Sequence, residues 1–287
     1  MNRRLWVLLF VLLLLVACTQ QDASSPPDRA KSGAASLPNS NASLTGPQQD
    51  HITVAAAADL QYAFSDLAKR FEAQTGIKIT LVFGSTGLLT QQIENGAPYD
   101  LIAAANIDYI HRLVEKKLVL ADSVAPYARG RVVLAVNRQA GISATDLQDL
   151  LDPQIMHVAI ANPEHAPYGV AARQALQAAG LWEALQPKLV LGENVRQALQ
   201  YIQTGDAEAG IVALSVADAP EISWTMIDDA LHQPLDQALA IVASSPRQEL
   251  ARQFAGFING EIGRTIMRRY GFTLPGEQPI TQQNSTP

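Results

Sequence analysis

The chain has 287 residues, 48% hydrophobic and 17% charged, with 27 acids against 21 bases. That is one to two domains' worth of chain with ample apolar material for a core, which excludes a disordered or collagen-like polypeptide. A net charge of -6 and a single cysteine exclude a general nucleic-acid binder, an intramolecular disulfide framework and a cysteine-built zinc cage.

The N-terminus comes first. Asn2-Arg3-Arg4 is a positive start, and Leu5 to Ala17 is an unbroken apolar run. That run is shorter than the roughly 20 residues a spanning helix needs, and it fits the core of a secretory signal. It ends Leu15-Val16-Ala17-Cys18, which resembles a bacterial lipobox. Residues 1–17 are then a lipoprotein signal peptide and Cys18 the lipid-attachment residue, the plain alternative being an ordinary signal peptide with an incidental cysteine. Residues 18–50, rich in Ser, Pro, Ala, Asn and Gln, read as a flexible tether. The polar stretch 276–287 reads as a disordered tail.

The body alternates strand and helix. Ile52–Ala56 is an apolar strand, and from Asp59 the period becomes helical through Leu60, Ala63, Phe64, Leu67, Ala68 and Phe71. Asp59 is the expected N-cap of that helix and Gly76 its terminator. A β-branched strand at 77–83 leads through Gly84-Ser85-Thr86-Gly87 into a helix ending near Ile93. A strand at 100–104 and a helix at 107–118 follow. Further strands are expected at 132–136, 158–161, 189–191 and 210–213, with helices at 144–151, 170–179 and 195–204 between them. A strand at 239–243 precedes helical patterns over 246–270. This order predicts parallel β-α-β units. Periodicity leaves open one large doubly wound sheet or two lobes.

The chemistry lies at the strand-to-helix turns. Ala57-Ala58-Asp59, Gly84 to Gly87, Glu193-Asn194-Val195 and the Pro163–Gly169 loop each precede a helix. A helix start leaves unpaired N–H groups and roughly half a positive charge, so several starts meeting in one crevice hold an anion without Lys or Arg. Ordinary βα loops with ordinary caps are the plainer reading of the same pattern. Nucleotide-binding glycine loops, a nucleophile elbow and zinc-protease spacing are all missing. The five histidines show no metal-ligand spacing and read as surface or loop residues, as do Asp228 and Asp229. Ser85 has no identifiable base partner, so an exported enzyme is disfavoured.

From Ile52 to Thr273 the chain resembles the molybdate-binding proteins of bacterial ABC importers. The resemblance rests on ITVAAAADL at 52–60, FGSTGLLTQQIENGAPYDLIAAAN at 83–106, ANPEHAPYGVAARQAL at 161–176, ENVRQAL at 193–199 and RRYGF at 268–272. It implies an α/β, two-lobed class II periplasmic-binding-protein fold, each lobe a mainly parallel sheet flanked by helices with the ligand cleft between them. Lobe I comprises 51–133 plus 236–275 and lobe II 134–235, with crossings near Val133 and Leu235. The implied ligand is molybdate, and tungstate with it, bound at Ala58, Asp59, Ser85, Tyr168 and Val195. Ser85 matches a hydroxyl-and-amide donor, and Val195 and Tyr168 match backbone N–H donors. No cofactor, catalytic residue or metal beyond the oxyanion is implied.

Two departures stand out. Many members have Ser or Thr where this chain has Ala58-Asp59, and a Tyr hydroxyl where it has Ala213. The expectation is that Asp59 caps its own helix, turning its charge aside, while the Tyr168 hydroxyl replaces the missing donor. The implied partners are a small oxyanion and an ABC permease in the cytoplasmic membrane, with no nucleic acid and only a lipid anchor to the membrane. A monomer, exported to the periplasm or cell surface, is expected. The alternative ligand is another oxyanion such as sulfate or phosphate. A ligand-sensing domain of a transcription factor is excluded by the exported N-terminus.

Overall fold

The computed structural model describes residues 50–277. The expected signal peptide, Cys18 and all but the last residue of the expected tether lie outside the described residues, as do residues 278–287 of the expected tail. The first two tail residues are ordered. Glu277 donates its N–H to the Leu274 carbonyl at 2.9 Å and pairs with Arg268 at 2.6 Å.

The first half opens with β1 (His51–Ala57), a 3-10 turn (Ala58–Leu60) and α1 (Gln61–Thr75). It continues with β2 (Lys78–Gly84), α2 (Thr86–Glu94), β3 (Leu101–Ala104), α3 (Ile107–Glu115) and β4 (Ala125–Gly130). Gly76 ends α1 in the left-handed conformation at φ +75°, and its N–H reaches the Glu72 carbonyl. The second half holds β5 (Val132–Asn137), β6 (Val158–Ala161), α4 (Pro167–Ala178), α5 (Trp182–Leu185) and β7 (Leu189–Gly192). Then come α6 (Val195–Thr204), β8 (Ala209–Ala213), α7 (Leu214–Ala217) and β9 (Ile222–Met226). Finally β10 (Leu235–Ile241), α8 (Gln248–Asn259) and α9 (Glu261–Arg269) return to the first half.

Two five-stranded sheets form, ordered β2-β1-β3-β10-β4 and β7-β6-β8-β5-β9. In each, four strands run one way and one, β10 or β5, runs against them. Both sheets thus share one topology, and each receives its reversed strand from the chain leaving the other. The first crossing falls at Arg131, so Val132 and Val133 lie in the second sheet. The second occupies residues 227–234, between β9 and β10.

Burial follows the pleat. In β1, Val54 and Ala56 join a cluster with Phe64, Leu67 and Phe71 of α1, whereas Ala55 faces Leu89, Ile93 and Ile110 of α2 and α3. Strands covered on both faces read as continuous apolar runs, as these do. Phe71 packs edge-on against Phe254 and Phe257 of α8 at 5.1 and 5.4 Å. Asp100, in the motif preceding β3, is buried and structural. It accepts the Thr53 N–H at 2.7 Å and the Ser245 hydroxyl at 2.6 Å, tying β1 to the segment between β10 and α8.

Two expected helices differ. Residues 144–151 form only a 3-10 helix, Leu147–Leu151, started by an Asp146–Asp149 capping box and stopped at Asp152, whose helical conformation is disfavoured by Pro153. The helical pattern of 246–270 is broken at Gly260, which is extended at ψ 175° and separates α8 from α9.

Candidate functional site

The strand-to-helix turns of both sheets meet at one small cavity. It is lined by Ala58, Asp59, Ser85, Tyr168 and Val195, with Gly84, Thr86, Ala105, Ala166, Pro167, Asn194 and Ala57 completing it. The cavity is tight, with the space of about one water molecule. Among the described residues, no Lys or Arg lines it.

Which N–H groups remain free follows from how each helix starts. At α6, the Asn194 side chain accepts from the N–H groups of Arg196 and Gln197, at 3.0 and 3.1 Å, and Ala198 bonds back to the Asn194 carbonyl. Val195 is left as the orphan donor of that turn. At α4, Pro167 has no N–H, while Gly169 and Val170 both bond to the Ala166 carbonyl. Tyr168 holds the remaining donor. At α2, Gly87 gives its N–H to the His165 carbonyl at 2.9 Å, and the Thr86 hydroxyl accepts from Ala105 at 3.0 Å. The Ser85 hydroxyl caps nothing and stands 2.8 Å from His165 Nδ1.

His165 therefore belongs to the cleft, although its sequence context reads only as loop. Gly87 makes this seam possible, since a side chain there would sit 2.6 Å from the His165 carbonyl oxygen. Other contacts close the two halves together. Ser215 donates to the Asp59 carbonyl at 2.8 Å, and Arg196 reaches Gln61 at 3.0 Å while lying over the Tyr62 ring.

Asp59 departs from expectation. It does not cap α1, whose N-cap position is Leu60 and whose start carries no side-chain cap. The carboxylate is buried, and its Oδ2 accepts from Gln237 Nε2 at 2.7 Å and the Tyr168 hydroxyl at 3.1 Å. A second-half helix and the reversed strand of the first sheet supply buried donors, and these override the local capping preference. The same contact corrects the Tyr168 expectation, because its hydroxyl is committed to Asp59. Burial pushes the Asp59 carboxyl up to about 6, the hydrogen bonds from Gln237, Tyr168 and its own backbone N–H pulling the other way. Gln237 was missed because a lone Gln inside Leu235–Ile241 gives no local sign of which residue it meets.

The match to known proteins covers nearly all of this structure. The model of the bacterial extracellular solute-binding protein family matches residues 52–273. The molybdate-binding protein ModA of Azotobacter vinelandii is 34% identical over 79% of this chain and 91% of its own. A putative ABC transporter substrate-binding lipoprotein of Bacillus subtilis is 28% identical over 82% of this chain and 91% of its own. The solved structure of the A. vinelandii periplasmic molybdate-binding protein superposes with a TM-score of 0.73 at 31% identity, covering 78% of this chain and 99% of that one. The two-sheet architecture, the cleft of helix starts and these similarities together make the chain a member of the bacterial extracellular solute-binding protein family, a family of binding proteins rather than enzymes.

Proposed function

We propose that this protein is an extracytoplasmic receptor that captures molybdate, and tungstate with it, and hands it to an ABC importer. The observation that carries this reading is the convergence of helix starts from both halves on one small cavity. Free N–H donors at Tyr168 and Val195 and the Ser85 hydroxyl are neutral, and among the described residues no Lys or Arg lines the cavity, as suits an inorganic anion rather than an organic acid. The ligand-binding set is Ala58, Asp59, Ser85, Tyr168 and Val195, with the 3-10 turn offering backbone amides. Similarity to molybdate-binding proteins supports molybdate as the ion. A smaller tetrahedral ion such as sulfate is disfavoured because rigid donors set for longer metal–oxygen bonds lose geometry around it.

Closure of the halves on the ion presents the loaded state to the permease by population shift. Attachment through Cys18 and a monomeric state complete the proposal, the former supported by the lipobox-like sequence and the lipoprotein relative. A second reading, a protonated oxyanion such as hydrogen phosphate, is favoured by one feature only, the carboxylate of Asp59 at the cavity. Titration with molybdate, tungstate, sulfate and phosphate, followed by thermal shift, separates them. Stabilisation by molybdate and tungstate alone is expected, and a response to phosphate without molybdate overturns the assignment.

A further inference from the structure

A carboxylate in a site for a dianion needs an explanation, and the geometry around Asp59 offers one. Its two oxygens are unlike. Oδ2 is saturated by two donors, the Gln237 amide and the Tyr168 hydroxyl. Oδ1 is buried and has no partner among the described residues. Oδ1 is therefore the oxygen left free to take a proton.

The surroundings hold the carboxyl in place. Gly130 has no side chain, and a Cβ there would collide with the Tyr168 hydroxyl and stand 2.9 Å from Gln237 Nε2. Ser215 pins the Asp59 backbone from α7. No cation forms an ion pair with Asp59 among the described residues. The ionisable groups facing it are phenols, Tyr127 from β4 and Tyr168 from α4, both held neutral because burial raises them well above the ordinary phenol value. From β10 it meets Gln237 and from α7 Ser215, neither ionisable. On α6, Arg196 is engaged by Gln61 and Gln203, and His165 on the loop before α4 by Ser85.

We propose that Asp59 is a specificity-determining residue that takes up a proton when the oxyanion binds and donates it from Oδ1 to the ion. It thereby supplies an O–H donor to the ion. This rests on the oxyanion reading above and names how that same site handles its charge. The proton comes from solvent on binding and returns to it on release, so ligand dianion plus one proton enter together. Capture is then proton-linked: affinity falls as pH rises through the range in which free Asp59 ionises. An ion that arrives already protonated takes up no further proton.

The test is calorimetric titration of the purified full chain with sodium molybdate between about pH 6.5 and 8.5, in paired buffers of different ionisation enthalpy. Uptake approaching one proton per ion at the alkaline end is expected, with affinity falling by up to about tenfold per pH unit. Asp59→Asn and Asp59→Ser, each checked for folding by thermal unfolding, should bind with no net uptake and a flat pH profile. Molybdate binding without proton uptake, or a pH slope unchanged in both variants, overturns this proposal and leaves the oxyanion reading standing. Failure of molybdate to bind at any pH overturns that reading itself, and binding of phosphate alone without proton uptake overturns both.

Discussion

Replacing Asp59 by Asn should change stability in a pH-dependent way that the buried carboxylate alone dictates. Asn keeps an oxygen to accept from Gln237 and Tyr168 and places an amide where the unpartnered Oδ1 sits. In the parent, the folded-state pKa is raised from 3.8 to about 6. Its contribution is therefore fully present below the unfolded value and lost as pH rises through the folded one. At 1.36 kcal/mol per unit, the buried carboxylate costs about 3 kcal/mol above pH 6 relative to strongly acid solution. About 2 kcal/mol of that falls between roughly pH 4.5 and 7.5. Urea unfolding of the ligand-free proteins across that range measures it. Glu72, Glu94, Asp149 and Glu277 are held below their ordinary values by the Ile79 amide, Arg112, the Thr145 amide and Arg268, so they destabilise on acidification. They are common to both proteins and cancel in the difference. The stability of Asp59→Asn relative to the parent should rise by about 2 kcal/mol from acid to neutral. A difference that stays constant across the range would mean that Asp59 titrates as an ordinary carboxylate, and the account of its environment would be wrong.

Other substitutions probe the rest of the site. Ser85→Ala removes a donor at the cavity and the bond to His165, and should weaken molybdate binding by about 1–2 kcal/mol in a fluorescence titration. Tyr168→Phe removes a donor that lowers the Asp59 pKa, so the midpoint of pH-dependent binding should move upward while the backbone N–H at that position still serves the ion. Gly169→Ala should destabilise the protein by about 1–3 kcal/mol in thermal or urea unfolding, because its Cβ would collide with the Ala161 carbonyl oxygen and lie 2.8 Å from the Asn162 carbonyl carbon.

What could be read from the residues divides by how local the cause is. The turns before α2, α4 and α6 were legible because a helix start depends on a few consecutive residues, and the cavity forms where they meet. Buried strands such as β3, β6 and β8 were legible as unbroken apolar runs. β4 and β9 were not, since Ala125–Gly130 carries Pro and Arg and Ile222–Met226 is half-exposed, so neither shows an apolar run. The partners of Asp59 were beyond reach for another reason. Gln237 lies 178 residues away and is delivered by the reversed strand, a pairing fixed by the exchange of strands between the two sheets. A helix-cap preference worth about 1 kcal/mol could not compete with that enclosure.

The central claim is that the helix starts hold an oxyanion between the two halves, and anomalous diffraction at the molybdenum edge tests it most directly. Crystals grown with molybdate should show one strong peak inside the cavity, its oxygens within hydrogen-bond reach of the Val195 and Tyr168 N–H groups and the Ser85 hydroxyl. A cavity without molybdenum at saturating ligand, or a peak only at another surface, would contradict the account.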